Sequence, residues 1–136
     1  MNQTTEESKI KQILEKYIEG WTKSNAELLK SIWDTTHESV TYLPVEYRDV
    51  LVGNEAIQVY YDQTIGEFPV ADMTPKQVLI DIFDDVAHLY CSMDMLLKKD
   101  GSESMMNPRL SFVLKRKGDR WLVIHYSESL LYESEE

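Results

Sequence analysis

The sequence predicts an α+β domain in which N-terminal helices pack on one face of a curved, mostly antiparallel sheet. Three observations predict it. Helical apolar spacing is confined to the first half of the chain. Long β-rich stretches separated by short turns fill the second half. Those stretches follow one another closely enough to pair as hairpins. The chain has 136 residues, which suits a single domain with one core over residues 1–136.

The first element opens at Thr4-Thr5-Glu6-Glu7, which has capping-box spacing from Thr4 to Glu7. Ile10, Ile13, Leu14, Tyr17, Ile18 and Trp21 then form one apolar stripe, so a helix is expected over about residues 5–22. Gly20 weakens its last turn. Ser24-Asn25-Ala26-Glu27 has the same capping-box spacing and opens a shorter helix with Leu28, Leu29, Ile32 and Trp33 as its apolar set. Val40, Tyr42 and Pro44 alternate with polar or smaller groups. They predict a short strand, a loop from Pro44 to Asp49 and a second short strand from Val50 to Val52. Asn54 is expected to cap a third helix over about residues 54–65, carrying Ala56, Ile57, Tyr60 and Tyr61, and Gly66 to stop it.

After Pro69 the helical period disappears. Strands are expected over about residues 76–83, 86–98, 105–117 and 120–130. Asp84-Asp85, Lys99-Asp100-Gly101 and Lys117-Gly118-Asp119 supply the turns. The tail Glu133-Ser134-Glu135-Glu136 is expected to fray. The strands are apolar on both parities: Leu110, Phe112 and Leu114 against Val113; Leu122, Ile124 and Tyr126 against Trp121 and Val123. A sheet with one solvated face alternates cleanly. These strands do not, so the second face is expected to meet another subunit, giving a homodimer through the sheet.

Composition narrows the function classes. A formal net charge of -10 repels a phosphate backbone, and the one basic run, Lys115-Arg116-Lys117, sits at a hairpin end, so nucleic acid is not an expected partner. No apolar run approaches the ~20 residues of a membrane span, so none is expected to enter a membrane. The N-terminal stretch has no basic start and no apolar signal core, and Cys91 is the sole cysteine, so a reducing cytoplasm is the expected location. His37, His88 and His125 lack metal-ligand spacing, the acidic residues lack a calcium-loop pattern, and there is no glycine-rich phosphate loop. No metal or cofactor is expected.

The ordered set of features resembles the SnoaL-like branch of the nuclear transport factor 2-like superfamily. The residues that carry it are Tyr17 to Trp21 on the first helix, Gly53-Asn54-Glu55-Ala56-Ile57, Asp85-Val86-Ala87, Arg109-Leu110-Ser111, and Gly118-Asp119-Arg120-Trp121 through His125-Tyr126 to Ser129. The last stretch is also similar to the association domain of calcium/calmodulin-dependent kinase II. The resemblance implies a cone-shaped, cystatin-like α+β barrel, with the sheet wrapped around the first helix and a pocket at its open end. It implies a dimer. It leaves the activity open, because similar domains include isomerases, cyclases and dehydratases as well as assembly modules.

Strand parity and this resemblance select candidate site residues. On a regular strand His125 shares a face with Val123, Ser127 and Ser129. If that face is concave, His125 is an acid/base in the pocket; otherwise it is a half-buried histidine bonded to a neighbour or a dimer-face residue. A hairpin at Gly118-Asp119 places Ser111 near Tyr126 and Arg109 near Glu128. Arg109 is then an anchor for an anionic ligand or half of a cross-strand pair with Glu128. Ala87, Leu89, Cys91, Met93 and Met95 form the expected concave set, which puts Met93 and Met95 in the pocket and Asp94 on the other face. In similar association domains an arginine falls at the place of Met93 and a second histidine at the place of Ser127. Tyr17, Trp21, Trp33, Tyr42 and Tyr60 are aromatic candidates to line the pocket. Tyr17 and Trp21 lead, because the end of the first helix faces the pocket mouth in similar folds. The expected function is binding of a small, apolar or weakly anionic molecule. The alternatives are cofactor-free isomerase, cyclase or dehydratase chemistry, with His125 as acid/base and Tyr17 or Tyr42 as hydrogen-bond donor, or a non-catalytic association module.

Overall fold

The structure, a computed structural model, describes residues 3–131; the tail expected to fray lies outside them. Three helices come first: α1 (Gln3–Thr22), α2 (Ala26–Ser31) and, after two short strands, α3 (Asn54–Thr64). The strands are β1 (Thr41–Leu43), β2 (Leu51–Val52), β3 (Val70–Phe83), β4 (Val86–Lys99), β5 (Ser102–Met106), β6 (Arg109–Lys117) and β7 (Arg120–Ser129). The sheet order is β2-β1-β7-β6-β4-β3, with β5 also paired to β4. All pairs are antiparallel except β1 with β7. The architecture is the expected α+β one, with one correction. The sheet is open, because β2 and β3 are its two ends, and it does not close into a barrel.

Helix boundaries follow cap chemistry more closely than the sequence pattern suggested. Thr4 already lies inside α1. Ser24 does not cap α2; its φ is 52°, at the exit of α1. The cap is Asn25, whose side chain accepts from the Leu28 N–H at 3.1 Å. Asn54 does not cap α3 either. Gly53 is the N-cap, and the Asn54 amide donates to the Asp34 carbonyl at 3.2 Å, tying α3 to the segment after α2.

β3 begins at Val70 and so is longer than expected. Pro75 and the bulge between Lys76 and Leu79 break the alternation that would have revealed it. The proline is tolerated because β3 is an edge strand. The single strand expected over residues 105–117 is divided at Asn107-Pro108 into β5 and β6. Both pieces lie along β4, and the Pro108 carbonyl still accepts from the Met93 N–H at 2.9 Å.

The decisive irregularity is in the last hairpin. Val113 pairs with His125, but Leu114 pairs with Val123, so Ile124 is an extra residue on β7. A bulge of this kind reverses strand parity. Before it, Trp121 and Val123 are buried; after it, Tyr126 is buried. The core is one apolar cluster formed by α1, α2, α3 and the inner sheet face. It includes Ile10, Leu14 and Tyr17 from α1, and Ala87, Leu89, Cys91, Met93 and Met95 from β4.

Candidate functional site

The inner sheet face and the helices enclose a cleft lined by Tyr17, Trp21, Tyr42, Glu46, Tyr60, Phe68, Met73, Met95, Met106, Leu110, Tyr126 and Glu128. Helical spacing places Tyr17 and Trp21 one turn apart on the apolar stripe of α1. Tyr42 comes from β1, and Tyr60 from α3. Leu110, Tyr126 and Glu128 come from the inner faces of β6 and β7, where Leu110 pairs with Glu128 and Phe112 with Tyr126. Free space among these side chains is slight, about that of one water. Three methionines line it, and their unbranched thioethers can repack around a guest.

The walls are aromatic. The Tyr42 and Tyr126 rings are stacked with centroids 4.7 Å apart, and Tyr17 lies 5.2 Å from Tyr126. Tyr60 lies 5.0 Å from Tyr42, and Phe68 meets Trp21 edge-on at 6.0 Å. The Tyr17 and Tyr42 hydroxyls are hydrogen-bonded at 3.2 Å. Burial drives the hydroxyls of Tyr17, Tyr42 and Tyr126 well above the ordinary phenol range. All three stay protonated and neutral.

Two carboxylates complete the site. Glu128 accepts from the Tyr126 hydroxyl two residues back along the same face, and from the Val45 backbone N–H at 2.9 Å. Burial raises its carboxyl above the usual glutamate value. Its two hydrogen bonds oppose that rise, and the charge of Glu46 adds to it. Glu46 is exposed at the rim of the cleft and accepts from the Tyr60 hydroxyl at 2.9 Å. A partly desolvated carboxylate with a raised pKa, facing neutral phenols, can accept a proton or pair with a cation.

Five of the candidates selected from sequence meet here: Tyr17, Trp21, Tyr42, Tyr60 and Met95. Met93 is on the inner face but fully buried below the cleft lining. Trp33 is core, with its indole N–H donating to the Tyr61 hydroxyl at 3.0 Å. The remaining candidates lie elsewhere. His125 does not share a face with Val123; the Ile124 bulge turns it to the outer face, where Nδ1 bonds the Thr41 hydroxyl. Burial lowers its pKa, so the ring is neutral near pH 7. Arg109, Ser111 and Ser127 lie on the same outer side, in an open groove with Leu43, Tyr90 and Ser129. Arg109 pairs with Ser129 and Ser111 with Ser127, each one residue away from the expected register. Ser111 bonds His88 Nε2. The expected Arg109 anchor and Arg109–Glu128 pair are therefore replaced by an exposed arginine and an inward Glu128. Asp94 is on the outer face as expected, paired with Lys76 and Asn107.

Sequence reasoning missed Glu128, Tyr126 and Glu46. The run WLVIHY is apolar at almost every position, which is the signature of a strand whose parity breaks. Placing a bulge within it makes Tyr126 and Glu128 the inward pair. Glu46 sits in a loop, where no period exists to orient it. Among the described residues, no group of three or more His, Cys, Asp or Glu is placed to hold a metal ion. No described helix is long and apolar enough to cross a membrane.

Residues 10–133 match the family model for the SnoaL-like domain. A search of curated proteins finds no match. Solved structures are similar over nearly the whole chain. A candidate dehydratase of the NTF2-like family from Streptomyces avermitilis superposes with a TM-score of 0.84 at 16% identity, covering 96% of this chain and 99% of that one. A candidate scytalone dehydratase from Novosphingobium aromaticivorans gives 0.80 at 12% identity, covering 96% and 87%. A candidate calcium/calmodulin-dependent protein kinase II association domain from Xanthomonas campestris gives 0.76 at 17% identity, covering 92% and 87%. At these identities the likeness is one of fold.

Proposed function

The chain belongs to the SnoaL-like domain family, and we propose that it binds a small, largely apolar molecule in the cleft between α1 and the inner sheet face. The polar end of that molecule meets Glu128. The observation that carries this reading is the setting of Glu128: a carboxylate held by the Tyr126 hydroxyl and the Val45 amide, at the wall of a cleft that is otherwise aromatic and thioether. Arg109 plays no part in it, so an anionic ligand has no cationic partner there.

The catalytic form of this reading assigns the base to Glu128 and not to His125. A carboxylate with a raised pKa takes a proton from carbon beside a carbonyl, and the Tyr17 or Tyr42 hydroxyl donates to the oxygen on which charge develops. The dehydratase names of two similar structures fit proton transfer of this type.

The test is methyl NMR of ¹³C-methionine-labelled protein during titration with a set of small aromatic and aliphatic fragments. The methyls of Met73, Met95 and Met106 shift, while exposed Met105 stays fixed. Binding detected by calorimetry while the methyls of Met73, Met95 and Met106 all stay fixed would move the binding site away from the cleft.

The protein also forms a homodimer through its outer sheet face in this reading. Leu79, Phe83 and Val86 leave 63%, 65% and 39% of their surface exposed there, and self-association covers them. The buried free thiol of Cys91 fits a reducing cytoplasm.

A further inference from the structure

We propose that the loop of residues 44–50, between β1 and β2, is a strap that shuts the cleft and swings out together with Tyr60 to admit a guest. This rests on the cleft being the binding site, as proposed above, and adds how that site opens.

Three observations converge on it. First, the cleft is shut as it stands. Tyr42 and Tyr126 are stacked at 4.7 Å, and the free space is about that of one water. A guest of several heavy atoms enters only if part of the wall moves. Second, the strap is fastened to the cleft itself. The Val45 N–H donates to Glu128 Oε1 at 2.9 Å, and Glu46 Oε2 accepts from the Tyr60 hydroxyl at 2.9 Å. Tyr47 meets the Tyr60 ring edge-on at 5.4 Å. A further bond, from the Tyr47 N–H to the Pro44 carbonyl at 3.2 Å, lies within the strap and moves with it. Third, the strap has little other anchorage. Pro44 is buried, but residues 46–50 are exposed, so lifting them uncovers little apolar surface. Segments with few buried contacts open far more often than the whole molecule unfolds. The ends stay in place, because Tyr42 pairs with both Leu51 and Tyr126 in the sheet.

Tyr60 gives the motion its direction. Its ring lines the cleft on one side and, on the other, an open groove with Tyr47, Val52, Ala56 and Val59. Freed from Glu46, the ring turns into that groove and the two spaces join. Glu128 is then a latch as well as the carboxylate of the site. A guest whose donor takes Glu128 Oε1 competes with the Val45 N–H and so favours the open strap.

The experiment uses the full chain with no ligand. Native-state hydrogen exchange read by NMR measures opening. The Val45 amide is expected to exchange at least about 100-fold faster than the slowest amides of β6 and β7, at a rate that low urea does not change. Hydroxyl-radical footprinting measures access, in wild type and in the double variant Glu46→Ala with Tyr47→Ala, which removes two of the strap's contacts at exposed positions. Labelling of Tyr126, fully buried in the closed cleft, is expected to rise at least about fivefold. Trp121, buried away from the cleft, and Met105, exposed, keep their wild-type labelling. Tyr60→Phe, which loses only the bond to Glu46, moves Tyr126 in the same direction by a smaller factor and supplies the answer if the double variant does not fold. A Val45 amide that exchanges only as slowly as the core overturns the strap as a door. Fast Val45 exchange with Tyr126 equally protected in wild type and variants overturns it as the cover of the cleft. Neither result touches the binding reading, which the methionine titration decides on its own.

Discussion

Glu128 sets the pH behaviour of the cleft. Its folded carboxyl lies above the ordinary 4.5. Between 4.5 and that raised value the folded state holds more proton than the unfolded one, so this group makes stability fall as pH rises through the window. E128Q has no proton to lose. The stability difference between E128Q and wild type is therefore expected to move in favour of E128Q as the buffer goes from pH 4 to pH 7, as read from urea midpoints. An unchanged difference would mean that Glu128 is not held above its ordinary value. Tyr17→Phe removes the hydrogen bond to the Tyr42 hydroxyl and is expected to cost about 1 kcal/mol in the same assay. The cleft aromatics were legible from sequence, because helical and strand spacing orient Tyr17, Trp21 and Tyr42 without knowledge of the rest of the fold. Glu128 was not. Its inward direction depends on one extra residue, Ile124, and period-two reasoning turns every later side chain the wrong way once that residue is overlooked.

Packing is close where α1 meets α2. A Cβ added at Gly20 would stand 2.5 Å from Leu29 Cδ2 and 2.6 Å from Leu29 Cγ, and Leu29 is fully buried. Gly20→Ala is thus expected to destabilise the protein by about 1–3 kcal/mol, even though alanine is intrinsically better than glycine in a helix by up to about 1 kcal/mol. Chemical denaturation decides the sign. From sequence alone Gly20 read as a weakness in the last turn of α1; the packing makes it a requirement of the α1–α2 contact. The helices, the two short strands and the turns of the hairpins were otherwise legible, since apolar stripes and turn residues are local, although the cap residues themselves fall one position or more from those expected. The early start of β3 and the division of β5 from β6 were not. Pro75 and Pro108 interrupt the pattern locally, and only pairing with β4 keeps those segments in the sheet.

At the scale of the whole molecule the sheet has two faces with different uses. The inner face, with α1, forms the cleft. The outer face carries His125, Arg109 and the exposed Leu79 and Phe83. Sedimentation is expected to give a dimer, and Leu79→Asp with Phe83→Asp a folded monomer. A wild-type monomer would contradict the outer-face interface. Apolar residues on both strand parities are the basis for expecting a covered second face. The inward face was legible on β4, from the alternation of Ala87, Leu89, Cys91, Met93 and Met95, and not on β7, where the bulge decides it.

The proposed site is the Glu128 cleft and not the His125 face. The affinity of one cleft-binding fragment for His125→Ala and Glu128→Gln proteins, measured side by side by calorimetry, separates the two. His125→Ala is expected to stay within about twofold of wild type, while Glu128→Gln, which loses a charge-assisted contact, binds about tenfold more weakly. Loss of binding in His125→Ala with Glu128→Gln unchanged would contradict this placement of the site.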